Sequence, residues 1–283
     1  MTDNVILPIE IEQPIKEFIE IKLKELNLEK YINEPIKDRV LDLLDTLCIV
    51  VYYPLPGEDN NGFHITDMPF ANGSKQHFVY INTAQTMEKQ VFTAAHELGH
   101  LWEIDNYILE KFPELNLDDS EDGREAIISR FAAILLMPKD LFLEKWETEY
   151  IKNKEDENIS MINFIKIIVM QMGNFFAPVK SIVLRFFELN VITKETVDFL
   201  LDGTVISKEK MDVVFKKFIA DYGLVQFLNS TNKKWIDGFA AKIDEAEEKD
   251  LVSRAKIDEL RKQFGFESNK IITDLNEEIS IKK

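Results

Sequence analysis

Apolar residues recur every three or four positions near the start of the chain, at Ile15, Phe18, Ile19, Leu23 and Leu26. After a short break the same spacing resumes from Tyr31 to Leu47. That period gathers them on one face of a helix, so the opening stretch predicts two helices. The pattern then changes. Cys48-Ile49-Val50-Val51-Tyr52-Tyr53 is β-branched and aromatic, and Pro54-Leu55-Pro56-Gly57 ends it, which predicts a strand. Two turn clusters follow, Asp59-Asn60-Asn61-Gly62 and Asn72-Gly73-Ser74. Beyond them the run from Gln76 to Asn82 predicts a second strand, paired with its neighbour. From Thr86 onward the spacing is helical over most of the remaining chain. The expected fold class is α+β, with a small sheet near the front and helices dominating.

At 283 residues the chain has room for one large domain or two small ones. It contains no internal repeat and no Gly/Ser-rich or Pro-rich linker. The one faint division is Asp202-Gly203-Thr204, after which Ser207 has the character of a helix N-cap with Glu209 in the first turn. We therefore divide the chain into 1–204, which includes the N-terminal helices, and a helical C-terminal unit over 205–283. The single cysteine, Cys48, has no disulfide partner and reads as a small hydrophobe within its strand. The start, Met1 to Val5, lacks the basic-then-apolar build of an export signal, and no apolar run reaches bilayer-spanning length. A cytoplasmic chain without a membrane partner is the expectation.

Charge narrows the partners. The 51 acids against 34 bases give a net charge of −17, a field that repels phosphate backbones. Residues 101–157 concentrate it, with 16 acids and 7 bases. Direct nucleic-acid binding is not expected. The run around Met172-Gly173-Asn174 has a helix-turn-helix look, but no basic recognition face follows it. The Met- and Phe-rich stretch from Met161 to Phe187 reads as core.

One segment carries chemistry. In His96-Glu97-Leu98-Gly99-His100 two histidines four apart share a helix face and can give imidazole nitrogens to a single Zn²⁺. Glu97 beside the first is placed to take a proton from an attacking water. Met87, Val91, Ala94, Ala95, Leu98, Leu101 and Trp102 form the apolar stripe of the same helix, and His96 and His100 fall almost opposite it. Core packing therefore does not account for them. Position 103 is Glu and position 106 is Asn, which excludes a third histidine in the metzincin arrangement.

A catalytic zinc needs another protein ligand while keeping one position open. His64 and His77 lie upstream and are awkward for the role. Downstream the sequence offers Glu103, Asp105, Glu110, Glu114, Asp118, Asp119, Glu121, Asp122 and Glu125. The acids from Glu114 to Asp122 read as a solvated loop. Glu125 instead sits at the edge of the apolar stripe Ile128, Phe131, Ala132 and Leu135, where a carboxylate needs a strong partner. Glu125 is the favoured third ligand, a salt bridge to Arg124, Arg130 or a distant base being the competing explanation. Tyr80, His77 and Arg130 are candidates for a second donor to the oxyanion. The strand from His77 to Asn82 is a candidate for taking up substrate as an added strand.

Phe92-Thr93-Ala94-Ala95-His96-Glu97-Leu98-Gly99-His100-Leu101, then Glu125, then Arg130 through Leu135-Leu136-Met137-Pro138, together resemble the ImmA/IrrE family of metallo-endopeptidases. Glu125 falls in register with that family's ligand glutamate. The chain departs from the family where an Ala-Asn pair is replaced by Ile128-Ser129. The strand from Phe78 to Asn82 fits the family layout, and Ala177 to Thr193 is a looser match. The resemblance implies a zincin-like fold, with Zn²⁺ held by His96, His100 and Glu125 and with Glu97 as general base. It further implies cytoplasmic cleavage of a transcriptional repressor in a mobile-element or stress-response setting. Some relatives carry a DNA-binding domain of their own, but no such motif stands out here, so the substrate is expected to be a separate protein. The alternative is a zincin-like sensor that binds a regulator without cutting it.

Overall fold

The computed structural model describes residues 7–57, 61–69, 75–113, 121–154, 158–201 and 207–266. The first helix, α1 (Glu12–Glu25), buries Ile15, Phe18, Ile19 and Leu23 along the expected stripe. The second starts later than its apolar spacing suggests. Glu29–Ile32 forms only a turn of 3-10 helix, and α2 runs from Arg39 to Leu47. Pro35 explains the delay, because it lacks an N–H and drives the residue before it out of the helical region. Lys37 then takes a left-handed conformation, at φ 52°, before the helix begins.

Three strands follow at the front: β1 (Ile49–Tyr53), β2 (Gly62–Pro69) and β3 (Lys75–Asn82). β1 and β3 are parallel, with Ile49 opposite Phe78 and Tyr53 opposite Asn82. β2 returns antiparallel on the other side of β3 and places His64 opposite Val79. A short fourth strand, β4 (Trp235–Ile236), pairs antiparallel with β1, giving the order β2-β3-β1-β4. Both sides of β3 are therefore occupied. The expectation that this strand accepts a substrate strand is corrected, since its main-chain donors and acceptors already serve β1 and β2.

Asn82 is wholly buried and fixes the exit from β3. Its side-chain oxygen accepts from the N–H groups of Leu55 and Ala84, and its amide donates to the Leu55 carbonyl at 2.9 Å. Five residues on, α3 (Met87–Leu101) begins, followed by α4 (Ile104–Lys111) and α5 (Glu121–Leu136). α3 lies against β2 and β3 as well as α2 and α5. Val91, Ala94, Ala95 and Leu98 on this helix are fully buried. Trp102 and Phe92 serve as packing, Trp102 meeting Phe18 and Phe131 edge-on.

The remaining helices close the core. They are α6 (Lys139–Asn153), α7 (Met161–Phe175), α8 (Val179–Glu188), α9 (Lys194–Leu201), α10 (Lys208–Asp221), α11 (Phe239–Glu248) and α12 (Arg254–Phe264). α7 and α8 meet at a bend of 104°, where Phe176 is left-handed and Pro178 precedes α8. Phe142, Phe164 and Phe186 pack together at this corner, so the Met- and Phe-rich run is core as expected. Ser207 does stand at the N-cap of α10. The boundary at 205 falls within residues 202–206, outside the described residues. Beyond it the chain is tied to the sheet region, since the Asn232 N–H donates to the Thr83 carbonyl at 2.8 Å and the Thr83 hydroxyl to the Lys233 carbonyl at 2.7 Å. Among the described residues, no single helix is long and apolar enough to cross a membrane.

A buried ion cluster joins three distant helices. Arg185 of α8 has no exposed surface, yet it donates to Glu12 of α1 at 2.8 Å, to Glu188 and to the Met137 carbonyl. Arg130 of α5 pairs with Glu12 and Glu188 in the same cluster. Burial by itself would raise the Glu12 carboxyl, but the guanidinium groups of Arg185 and Arg130 hold it below its ordinary value.

Candidate metal centre

The four-residue spacing puts His96 and His100 on the side of α3 that faces α5, one helical turn apart. On α5, Glu125 lies directly across from both. His96 Nε2 is 3.0 Å from Glu125 Oε2, and His100 Nε2 is 3.3 Å from Glu125 Oε1. One donor atom from each of the three lies within 4.8 Å of the others. Hydrogen bonds from His100 and His96 hold the Glu125 carboxyl far below the usual carboxylate range. Burial opposes the charged form of His100, but Glu125 and Glu97 outweigh it and raise the imidazole.

Two glycines make this approach possible. A Cβ on Gly99 would stand 2.9 Å from Ile128 Cγ2 and 3.0 Å from the Phe131 ring, both on α5. The missing side chain thus lets α5 come close enough for Glu125 to reach the histidines. A Cβ on Gly62 would stand 2.5 Å from the Tyr80 carbonyl oxygen and from Thr93 Cγ2, and 3.7 Å from Glu97 Oε1. β2 is thereby laid against the Glu97 carboxylate.

Glu97 is only 4% exposed, and its Oε2 is buried with no hydrogen-bond partner. Burial raises its proton affinity, while the charges of His96 and His100 pull the other way. A buried carboxylate oxygen without a donor is costly, so such an atom beside three converging groups able to hold a metal marks a working group rather than a packing one. Two imidazole nitrogens and one carboxylate oxygen are a donor set that suits a zinc-type site.

The rival explanations for Glu125 fail. Arg124 is engaged with Asp105 and Asn106, and Arg130 with the ion cluster around Glu12. Asp105 is therefore spoken for. Glu103 turns the chain into α4 through a left-handed conformation, at φ 54°, and Asp122 is exposed. Glu114, Asp118 and Asp119 lie outside the described residues. Two suggested oxyanion donors are also corrected. Arg130 is neutralised inside its cluster, and the Tyr80 hydroxyl donates to the Tyr53 carbonyl at 2.8 Å.

One contact to the site was not among the candidates. Ser129 Oγ lies 3.4 Å from His96 Nδ1, so the position where the chain departs from the family pattern still touches the first histidine. A hydroxyl one turn after Glu125 on the same helix is the signal that would have found it. His64 and His77 do not enter the three-atom group, but they stand beside it, with the His64 ring 6.3 Å from that of His100.

Residues 47–160 match the family model described as the IrrE N-terminal-like domain, a peptidase family. The matched stretch contains β1 to β3 and all of His96, Glu97, His100 and Glu125, so a metallopeptidase-type module and a group able to hold a metal coincide. No curated protein and no solved structure gives a match to the chain.

Proposed function

With residues 47–160 as an IrrE N-terminal-like peptidase domain, we propose that the protein is a zinc-dependent endopeptidase of narrow specificity. Its substrate, on this reading, is a separate DNA-binding transcriptional repressor, cut in the cytoplasm in a mobile-element or stress-response setting. The observation that carries the reading is the orphaned Glu97 oxygen beside the convergence of His96, His100 and Glu125. Those three residues would hold the ion. Zinc bound there supplies Lewis acidity, polarising a carbonyl and acidifying water.

The chain's own groups divide the remaining work. Glu97 accepts the proton of the attacking water, and its burial-raised proton affinity fits it to deliver that proton to the leaving amine. Ser129 orients His96 from behind. With β3 enclosed, the sheet edge next to the site belongs to β2, and a peptide aligned there gains main-chain hydrogen bonds. The net charge of −17 suits a basic protein such as a DNA-binding repressor, and disfavours DNA itself.

Labelling of protein N-termini in cells expressing the wild type or Glu97→Gln tests the reading. New termini within a DNA-binding repressor are expected with the wild type alone, while both proteins retain zinc. The same termini in both, or none in either with an unchanged biological output, would favour the sensor alternative.

A further inference from the structure

All 4 histidines of the sequence gather in one place, although only two are needed for the ion. Ring centroids are 5.1 Å apart for His96 and His100, 6.3 Å for His100 and His64, and 5.3 Å for His64 and His77. β2 carries His64 and β3 carries His77, and the register sets the two diagonally on the sheet. On β2 the usual alternation is inverted. Phe63 and Ile65 are exposed, while His64 between them is partly buried toward the site.

His64 Nε2 and His77 Nδ1 are 3.2 Å apart and share one hydrogen bond. Two neutral imidazoles hold two N–H hydrogens between them. One fills the bridge, and the other must sit on an outer nitrogen. When His77 donates in the bridge, His64 Nδ1 carries the remaining N–H. Tyr80 and Arg130 are committed to the Tyr53 carbonyl and the Glu12 cluster, which leaves the oxyanion role to the histidine pair.

We propose that His64, oriented by His77, is the second hydrogen-bond donor to the scissile carbonyl oxygen, acting through Nδ1 from the β2 wall of the cleft while Glu125 stands on the α5 wall. This rests on the peptidase reading. As water adds, its oxygen bonds to the carbonyl carbon and its proton passes to Glu97. The carbonyl π pair moves onto oxygen, which then accepts the N–H of His64. His64 is a catalytic residue on this account and His77 a positioning residue.

The test uses the zinc-loaded protein and N-phosphoryl-leucyl-tryptophan, whose tetrahedral phosphoryl group resembles the adduct. Affinity for this probe is read by calorimetry and zinc affinity by chelator competition. His64→Ala is expected to weaken the probe about 100-fold, the usual cost of an oxyanion donor, with zinc affinity within about twofold. His64→Asn, whose amide nitrogen overlays Nδ1, should restore most of the loss, whereas His64→Gln, which overlays Nε2, should not. Unchanged probe affinity in His64→Ala overturns the assignment, and so does equal rescue by Asn and Gln. A parallel fall in zinc affinity would make His64 a support of the metal group and overturn it as well. Failure of the zinc-loaded wild type to bind the probe would instead overturn the peptidase reading itself.

Discussion

Replacing Gly99 by alanine tests how the site is built. The new methyl carbon would stand 2.9 Å from Ile128 Cγ2 and 3.0 Å from Phe131 Cδ1. Carbon atoms settle at about 3.5–4.0 Å, so α5 must retreat by about 0.6 Å or more. A ligand set tolerates displacements of only about 0.5 Å. Ile128 lies one turn beyond Glu125 on the same helix, so the carboxylate moves with it. Two energies compete in the fold itself. Alanine in a helix interior is favoured over glycine by about 1 kcal/mol, whereas forcing an extra carbon into a packed core costs about 1–3 kcal/mol. The expected net loss of stability is therefore small, about 0–2 kcal/mol. Zinc affinity is expected to fall about tenfold or more. Chelator competition reads the affinity, and urea unfolding of the metal-free protein reads the stability. Unchanged zinc affinity, whatever the stability, would refute the claim that Gly99 sets the spacing between α3 and α5.

Arg185→Met should cost about 3 kcal/mol in urea unfolding, the lower end for breaking a buried ion pair, because Arg130 still faces Glu12. A loss under about 1 kcal/mol would mean that the cluster adds little to the fold. Glu12 has a folded pKa below its ordinary 4.5, so its contribution to stability is complete above that value and lost as pH falls through the folded one. Acid unfolding of Glu12→Gln should accordingly be less steep below pH 4.5 than that of the wild type, and parallel curves would count against the pairing. Ser129→Ala removes the hydroxyl 3.4 Å from His96 Nδ1 and should weaken zinc about tenfold without altering unfolding. Equal affinities would show that the contact orients nothing.

What could be read from the sequence was set by short-range geometry. His96 and His100 share a face because they are four apart on one helix, a relation the sequence contains in full. Glu125 was readable because its own helix carries an apolar stripe beside it and because the surrounding residues resemble a known motif. The β-pairing was harder to see. β2 turns Phe63 and Ile65 outward and its histidine inward, opposite to the usual rule, so periodicity did not mark it as a strand. Without β2, neither the His64–His77 bridge nor the enclosure of β3 could be foreseen. β4 is two residues long and pairs with Val51 and Tyr52 from far along the chain, a contact no local pattern encodes. The late start of α2 was decided by Pro35, whose effect outweighed the helical spacing running from Tyr31.

X-ray absorption at the zinc edge, on zinc-loaded wild type and Glu125→Ala, bears most directly on the central claim. The account predicts two imidazole nitrogens at about 2.0–2.1 Å and a carboxylate oxygen at about 2.0–2.2 Å in the wild type, with the carboxylate lost and occupancy reduced in the variant. An identical spectrum and full occupancy in both proteins, or a shell of three or four imidazoles that recruits His64 and His77, would contradict it.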